Sequence, residues 1–310
     1  MKTALLFPGY GSQFIGMGKE FYNESRIVQE YFEQASNCLD INFVKLCFSS
    51  SDIELGKMNR AYTALFLIGA SISALLKEAV VPIDVVAGYN SGEYTALFAA
   101  DGINFVDGLY LLHKLSGLYQ DIINKSDIHS LYVSGVGLQN LVSLCASVSV
   151  DGEYAAIALY ITKVTYIVSG SMKAIEKIKK KIVAEYDQAK CHGVSVENGL
   201  VAPAFTEVEN QFKMYLEKVD FNDLKIPLIN CLDGTFIATG AMAKHHIIEH
   251  INSPIRWDKI MEACSEVDII IAICPSAEVS SMLAAMYPEK KVVMVNKSVD
   301  IDMIKNILSS

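Results

Sequence analysis

The sequence predicts an α/β fold in which helices cover a mostly parallel sheet. Short β-rich runs alternate with helical patterns throughout the chain. Residues 267–274 form a continuous apolar run, as in a strand that is covered on both faces. Hydrophobic residues make up 52% of the 310 residues, which is enough for a sizeable core. We therefore expect one large domain, or one domain that carries a smaller insert.

Two strands are expected to deliver the chain to glycine turns, each followed by a helix. They are Thr3–Phe7 and Val85–Gly88. The first lies in an N-terminal apolar run that ends at Pro8-Gly9, too short for the roughly 7–15 residues of a signal-peptide core. Residues 61–76 are the most apolar stretch, yet polar residues interrupt it and it falls short of the roughly 20 residues of a membrane span. We interpret it as a buried helix.

The middle of the chain shows the order βαββαβ, which is typical of a ferredoxin-like unit. The expected elements are a strand at 130–137, a helix at 139–146, strands at 153–160 and 163–169, a helix at 172–186 and a strand at 190–196. We predict that residues 127–197 form this small subdomain. It would be inserted into an α/β-hydrolase-like large domain made of residues 1–126 and 198–310.

The net charge and the cysteines of the sequence indicate which binding partners and which cellular compartment to expect. The net charge of −9 argues against nucleic acid, because few cations would neutralise its phosphates. The seven cysteines are odd in number and contain no Cys-x-x-Cys, which favours reduced thiols in the cytoplasm. The helix at 172–186 is rich in lysine; a solvated face is the favoured interpretation, and a docking patch for an acidic partner is the alternative.

Residues 85–97 carry the motif on which the functional prediction depends. Gly88 and Gly92 lie two residues on either side of Asn90, between a predicted strand and a predicted helix. This is the pattern of a nucleophile elbow, in which the central residue adopts positive φ. Asparagine tolerates that conformation, but its amide cannot attack a thioester as an activated hydroxyl does. Ser91 lies one position late, where its side chain should point away from the pocket.

The chain resembles the malonyl-CoA:acyl-carrier-protein transacylases nearly from end to end. Residues 6–13, Leu-Phe-Pro-Gly-Tyr-Gly-Ser-Gln, are similar to their opening Phe-Pro-Gly-Gln-Gly-Ser-Gln. Residues 88–97 are similar to their Gly-His-Ser-Leu-Gly-Glu-Tyr-Ser-Ala-Leu, and residues 227–230 and 253–257 resemble their C-terminal landmarks. The resemblance implies a role in fatty-acid or polyketide synthesis. It also implies an acyl carrier protein or synthase component as partner, with acyl-CoA as a further candidate and no membrane.

The resemblance also implies that the catalytic residues have been lost. The family's catalytic serine falls on Asn90, and the histidine before it falls on Tyr89. The arginine that pairs with a malonyl carboxylate falls on Leu115. The base histidine falls on Val201 or, with a slip of one or two residues, on Leu200 or Gly199, and none of these is a base. Without that arginine a malonyl carboxylate would be buried unpaired, at a cost of several kcal/mol. We therefore expect no efficient malonyl transfer.

Several other pocket residues follow from the same resemblance. Two pocket glutamines fall on Tyr10 and Tyr62, and Gly11 and Gln13 belong to the first glycine turn. The family's oxyanion hole would use the backbone N–H groups of Tyr10 and Ser91, which do not depend on the side chains. Tyr10, Tyr62 and Tyr89 either converge to fill the former acyl channel or are ordinary core tyrosines.

Three further motifs compete with this interpretation. Gly9-x-Gly11 lacks the third glycine of a dinucleotide loop, because position 14 is phenylalanine. Residues 246–250 match His-x-x-Glu-His, an inverted zinc-protease motif, on what the resemblance makes a peripheral helix. Cys274 stands at the edge of the expected pocket, where a structural role is favoured over a nucleophilic one. We expect no cofactor and no metal.

The leading hypothesis is a catalytically degenerate transacylase homologue that binds an acyl carrier protein, an acyl chain or a synthase partner. The first alternative is a non-malonyl acyltransferase or acyl-carrier-protein hydrolase with Ser91 or Cys274 as a substitute nucleophile. The second alternative is a purely structural subunit of a larger complex.

Overall fold

A computed structural model describes residues 1–273, 283 and 290–308. Cys274 lies outside the described residues. The described strands, in chain order, are β1 Thr3–Phe7, β2 Val85–Gly88, β3 His129–Ser134, β4 Ala155–Thr162, β5 Thr165–Gly170, β6 Lys190–Val194, β7 Leu228–Ile229, β8 Phe236–Ile237, β9 Ile255–Arg256, β10 Ile269–Ile273 and β11 Lys291–Val295. The described α-helices are α1 Lys19–Glu24, α2 Arg26–Leu39, α3 Phe43–Ser49, α4 Asp52–Leu55, α5 Met58–Glu78, α6 Gly92–Ala99, α7 Phe105–Ile123, α8 Leu138–Val148, α9 Met172–Glu185, α10 Thr206–Leu216, α11 Gly240–His250, α12 Trp257–Ala263 and α13 Ser298–Leu308.

The larger sheet has six strands in the order β11-β10-β1-β2-β7-β8. The pairs from β11 to β7 are parallel, and only the short edge strand β8 runs antiparallel, to β7. Every residue of β1, β2 and β10 is buried, as the continuous apolar runs in the sequence require. The predicted mostly parallel sheet is confirmed. The carboxyl ends of β1 and β2 open into the two predicted glycine turns.

Helix α5 forms the centre of the helical layer that packs on this sheet. It is the one helix of the described residues that is long and apolar enough to cross a membrane. Most of its residues are nevertheless buried inside the fold, where it packs against α6 and α7. The predicted buried helix at 61–76 is therefore confirmed.

The smaller sheet follows the predicted ferredoxin-like pattern. Its strands lie in the order β6-β3-β5-β4, all antiparallel, and the lysine-rich helix α9 and helix α8 pack on it. The predicted order of strands and helices is confirmed, and the first and last residues of individual elements differ slightly from the predicted ones. One strand was missed: β9, from the flanking chain, adds in parallel to β4. The subdomain boundaries at 127 and 197 stay a prediction.

We predict that Leu67→Ala destabilises the protein by about 2–5 kcal/mol, because α5 buries this side chain completely (0% exposed) and the truncation leaves a cavity. Leu138→Ala is the matched control, since Leu138 is 38% exposed and should cost about 1 kcal/mol or less. Urea unfolding of both variants in detergent-free buffer measures the difference. Equal effects would contradict a buried position for α5.

Candidate active site

The turn between β2 and α6 holds Asn90 at the carboxyl end of the parallel sheet. Asn90 adopts φ +53°, the left-handed conformation predicted for the centre of the elbow. A Cβ atom on Gly88 would lie 2.2 Å from the backbone nitrogen of Glu93, and one on Gly92 would lie 2.4 Å from the carbonyl oxygen of Phe7. Only glycine fits at either position. The predicted strand–turn–helix geometry is therefore confirmed.

The side chain of Asn90 occupies a hydrogen-bond donor that an oxyanion would need. The backbone N–H of Ser91 donates to Asn90 Oδ1 at 2.6 Å. An oxyanion hole works only if its donors are free and aimed at the developing charge. The expectation of free N–H groups on both Tyr10 and Ser91 is therefore wrong for Ser91. The reason is local, because the amide oxygen of Asn90 folds back onto the next peptide.

The hydroxyl of Ser91 does not take the place of the missing nucleophile in this arrangement. Ser91 is 4% exposed, and its Oγ has no hydrogen-bond partner among the described residues. A nucleophilic serine needs a base within hydrogen-bond reach and an open path to the substrate. Ser91 has neither here. The prediction that its side chain points away from the pocket agrees with its burial.

A very small cavity lies in front of Asn90, between the two sheets. Its volume is about 10 Å³, which is room for about one water molecule. Pockets for small organic ligands usually measure about 300–1,000 Å³. No lysine or arginine lines this cavity within the described part of the chain, so no cation is present to pair with a malonyl carboxylate. The cavity is lined by Asn90, Tyr119, Ala158, Asn198, Leu200, Val201, His250, Ser253 and Ile255.

The segment that should carry the base does reach this cavity, but it brings only apolar side chains. Leu200 and Val201 both line it. Leu115, at the expected arginine position, is a buried core residue of α7 and does not line the cavity. The first glycine turn, which follows β1, contains a hydrogen bond within itself. The backbone N–H of Gly11 donates to Gln13 Oε1 at 2.8 Å.

The three tyrosines considered as fillers of a former acyl channel, Tyr10, Tyr62 and Tyr89, lie in two different places. The rings of Tyr10 and Tyr62 lie 6.1 Å apart, and the Tyr10 hydroxyl donates to the carbonyl oxygen of Gly56 at 2.9 Å. Burial raises the pKa of Tyr62 well above its usual value, which keeps this phenol neutral. Tyr89 instead packs edge-on against Trp257, at 5.9 Å between ring centres. Tyr10 and Tyr62 thus fill space together, and Tyr89 belongs to the other hydrophobic cluster.

The sequence reasoning missed His250 as a residue of this site. His250 lines the cavity beside Asn90, and its Nδ1 lies 2.9 Å from Oε2 of Glu93. Glu93 is completely buried, and its other oxygen, Oε1, lies 2.8 Å from Nε2 of His246. Helix α11 therefore turns two histidines inward, toward the elbow. The spacing of His246 and His250 was the available signal, since residues i and i+4 share a helix face.

The carboxylate of Glu93 dominates the electrostatics behind the elbow. Burial alone would raise its pKa, yet His246 and His250 outweigh burial and hold the pKa of Glu93 well below its usual value. Burial lowers the pKa of His246, and the Glu93 carboxylate more than reverses this, so the pKa is raised overall. Glu249 of the His-x-x-Glu-His motif lies outside this buried group and pairs with the exposed His245 at 3.2 Å, although its charge adds a smaller contribution that raises the pKa of His246.

The acyl transferase domain model matches residues 4–299. The chain belongs to this family. The malonyl-CoA:acyl-carrier-protein transacylase of Bacillus subtilis (strain 168) is 25% identical over 304 residues, covering 97% of this chain and 96% of the relative. That of Staphylococcus aureus (strain MRSA252) is 23% identical over 302 residues, covering 97% of each protein. The resemblance noted in the sequence is therefore confirmed.

Solved structures of such transacylases have the same fold. The enzyme from Coxiella burnetii superposes with a TM-score of 0.91 at 21% identity, covering 98% of this chain and 97% of that one. A malonyl-transacylase in complex with its type II polyketide acyl carrier protein also gives a TM-score of 0.91, at 20% identity, covering 99% and 100% of the two chains. The large α/β domain with a small ferredoxin-like subdomain is therefore the fold of this acyl transferase domain.

We predict that Asn90→Ala destabilises the protein by about 1–3 kcal/mol, because alanine is strained at positive φ and the bond to Ser91 is lost. Asn90→Gly should recover about 1 kcal/mol of this, since glycine carries no such strain. Asn124→Ala is the control: with φ −66° it should change stability by about 0.5 kcal/mol or less. Equal unfolding free energies for Asn90→Ala and Asn90→Gly in urea titrations would argue against strain at the turn.

Proposed function

We propose that this chain is a malonyl-CoA:acyl-carrier-protein transacylase homologue of fatty-acid or polyketide synthesis that binds an acyl carrier protein in the cytoplasm without transferring an acyl group. The observation that carries the proposal is the position of Asn90. It occupies the apex of an intact elbow, and its own amide oxygen accepts the Ser91 N–H bond that a tetrahedral intermediate would require.

Three independent losses support the absence of turnover. Asn90 provides no nucleophile. Val201 provides no base at the position of the family histidine, and Leu115 provides no cation at the position of the arginine. Removing catalytic groups that act as a unit costs several orders of magnitude in rate, so each loss alone would disable efficient transfer.

The size of the cavity in front of Asn90 supports a macromolecular partner over an acyl chain as the ligand. A volume of about 10 Å³ does not admit an acyl chain. Binding would therefore involve the outer surface of the protein and a macromolecular partner. The complex of a malonyl-transacylase with its acyl carrier protein has the same fold over 99% of this chain, which favours a carrier protein as that partner.

A hydrolase acting on acyl-carrier-protein thioesters is the second candidate, and one observation favours it. His250 lies beside Asn90 in the cavity, with its Nδ1 against the buried Glu93, which is the arrangement of an oriented base. The chain still needs a nucleophile, and Ser91 does not line the cavity. If the chain hydrolyses an acyl carrier protein thioester and Ser91→Ala abolishes this, the hydrolase with Ser91 as nucleophile replaces our proposal.

The proposal is tested by calorimetric titration of the chain with a holo acyl carrier protein from a type II fatty-acid synthase, and with one from a type II polyketide synthase. We predict saturable binding to at least one of them, with a dissociation constant of roughly micromolar order, as for transient protein–protein encounters. The same mixtures with malonyl-CoA should leave the carrier mass unchanged, whereas the Bacillus subtilis transacylase should malonylate its carrier.

Asn90→Ser serves as the matched variant in this assay. We predict that it binds the carrier like the original chain and still transfers no malonyl group, because no lysine or arginine lines the described cavity to pair with a malonyl carboxylate. Restored transfer would show that only the nucleophile had been lost. Absence of carrier binding, with co-purification of synthase subunits, would favour the structural-subunit alternative.

A further inference from the structure

Behind the elbow, buried groups with metal-ligand chemistry meet from three separate elements. Glu93 lies in the first turn of α6, Cys231 follows β7, and His246 lies on α11. One potential ligand atom from each, a carboxylate oxygen, the thiol sulfur and an imidazole nitrogen, lies within 4.8 Å of the other two. Glu93 and Cys231 are 0% exposed and His246 is 2% exposed. These groups are far apart in sequence, so only the fold brings them together.

We propose that Glu93, Cys231 and His246 bind one Zn²⁺ ion and that His250 is a further ligand. Zinc is bound in proteins by thiolate sulfur, imidazole nitrogen and carboxylate oxygen, and this cluster offers all three. A set that mixes a soft thiolate with imidazoles favours zinc over the oxygen-seeking Mg²⁺ and Ca²⁺. The inference goes beyond the proposed function, and either one stands without the other.

The separations are close to those that coordination requires. Ligand atoms about 2.0–2.3 Å from a tetrahedral zinc ion lie roughly 3.3–3.8 Å from one another. In this structure His246 Nε2 and Glu93 Oε1 lie 2.8 Å apart, and no two ligand atoms of the three residues are more than 4.8 Å apart. Shifts on the order of 1 Å or less would bring these atoms to coordinating distance.

His250 lies beside the group of three, in contact with Glu93 and His246, and is the candidate for the fourth ligand. Its ring is stacked on that of His246, with 6.1 Å between centres and 6° between planes, one helical turn apart. Its Nδ1 lies 2.9 Å from Glu93 Oε2, so His250 already approaches the carboxylate that would bind the ion. A metal ion at this place would neutralise the fully buried carboxylate.

Zinc binding would replace the contact between His246 and Glu93 with bonds from these groups to the ion, and it would change the number of protons that the protein carries. Zinc binds the thiolate form of Cys231 and the neutral form of each imidazole, so the thiol proton of Cys231 goes to solvent. Each histidine that is an imidazolium before binding also loses one proton to solvent, whereas a neutral histidine moves its proton to the ring nitrogen that does not bind the ion. Zinc uptake therefore releases acid. A closed site of protein ligands would tie α6, and with it the elbow, to α11. This is a structural zinc site and not the protease site suggested by the sequence motif, because Glu249 points to His245.

The test is metal analysis of the full chain, produced without a polyhistidine tag in zinc-supplemented medium and passed through gel filtration. We expect about one zinc ion per chain by inductively coupled plasma mass spectrometry. Cys231→Ser and His246→Ala should each lower the apparent zinc affinity about tenfold or more. His245→Ala is the matched control, because His245 is exposed on the same helix and should leave zinc content unchanged.

A second measurement keeps the proposal testable if a variant folds poorly. Co²⁺ added to the metal-stripped original chain should give the visible absorption of a tetrahedral site together with a thiolate charge-transfer band, and Zn²⁺ should displace it. A chain that contains no zinc and binds neither added Zn²⁺ nor Co²⁺ would overturn the proposal, and the cluster would then be a buried ion pair only. Metal binding that is equal in His245→Ala and His246→Ala would overturn it as well.

Discussion

Close packing of backbone at the elbow is the constraint on which the rest of the site depends. The end of β1, the end of β2 and the start of α6 approach so closely that side chains are excluded. A Cβ atom on Gly9 would lie 2.1 Å from the carbonyl oxygen of Tyr89, closer than any real contact. This crowding forces Asn90 into positive φ and sets the direction of α6. Helix α6 in turn carries Glu93 to the inward face of α11.

The elbow of this chain carries an amide at the position where a nucleophile elbow carries a hydroxyl. In the elbow, a serine hydroxyl would stand free above the turn. The longer amide of Asn90 instead folds back and accepts the N–H bond of the next residue. With apolar Leu200 and Val201 in front of it, the space shrinks to about 10 Å³. The scaffold is preserved because its packing depends on glycines and apolar strands, and neither requires a catalytic residue.

Features with strong local signals were predictable from the sequence. Residues 85–97 showed the turn through the spacing of Gly88 and Gly92, and the apolar runs showed β1, β10 and α5. The ferredoxin-like unit followed from the order of its patterns. Strands β7, β8 and β9 have two residues each, too few for any periodicity, and none of them was predicted.

The site itself was less predictable, because it depends on contacts between distant segments. The cavity closes through side chains that lie between positions 90 and 255, and no local pattern reports how they pack. The ion pairs of Glu93 join residues 153 positions apart or more in sequence. The bond from Ser91 to Asn90 depends on a side-chain rotamer, which a residue name does not determine.

The central claim, an acyl transferase fold without acyl transfer, is tested most directly by the intact mass of the chain after incubation with malonyl-CoA. The transacylase of Bacillus subtilis serves as the positive control. Our account predicts an unchanged mass for this chain and a malonyl adduct on the control. A stable malonyl adduct on this chain, mapped to any side chain, would contradict it.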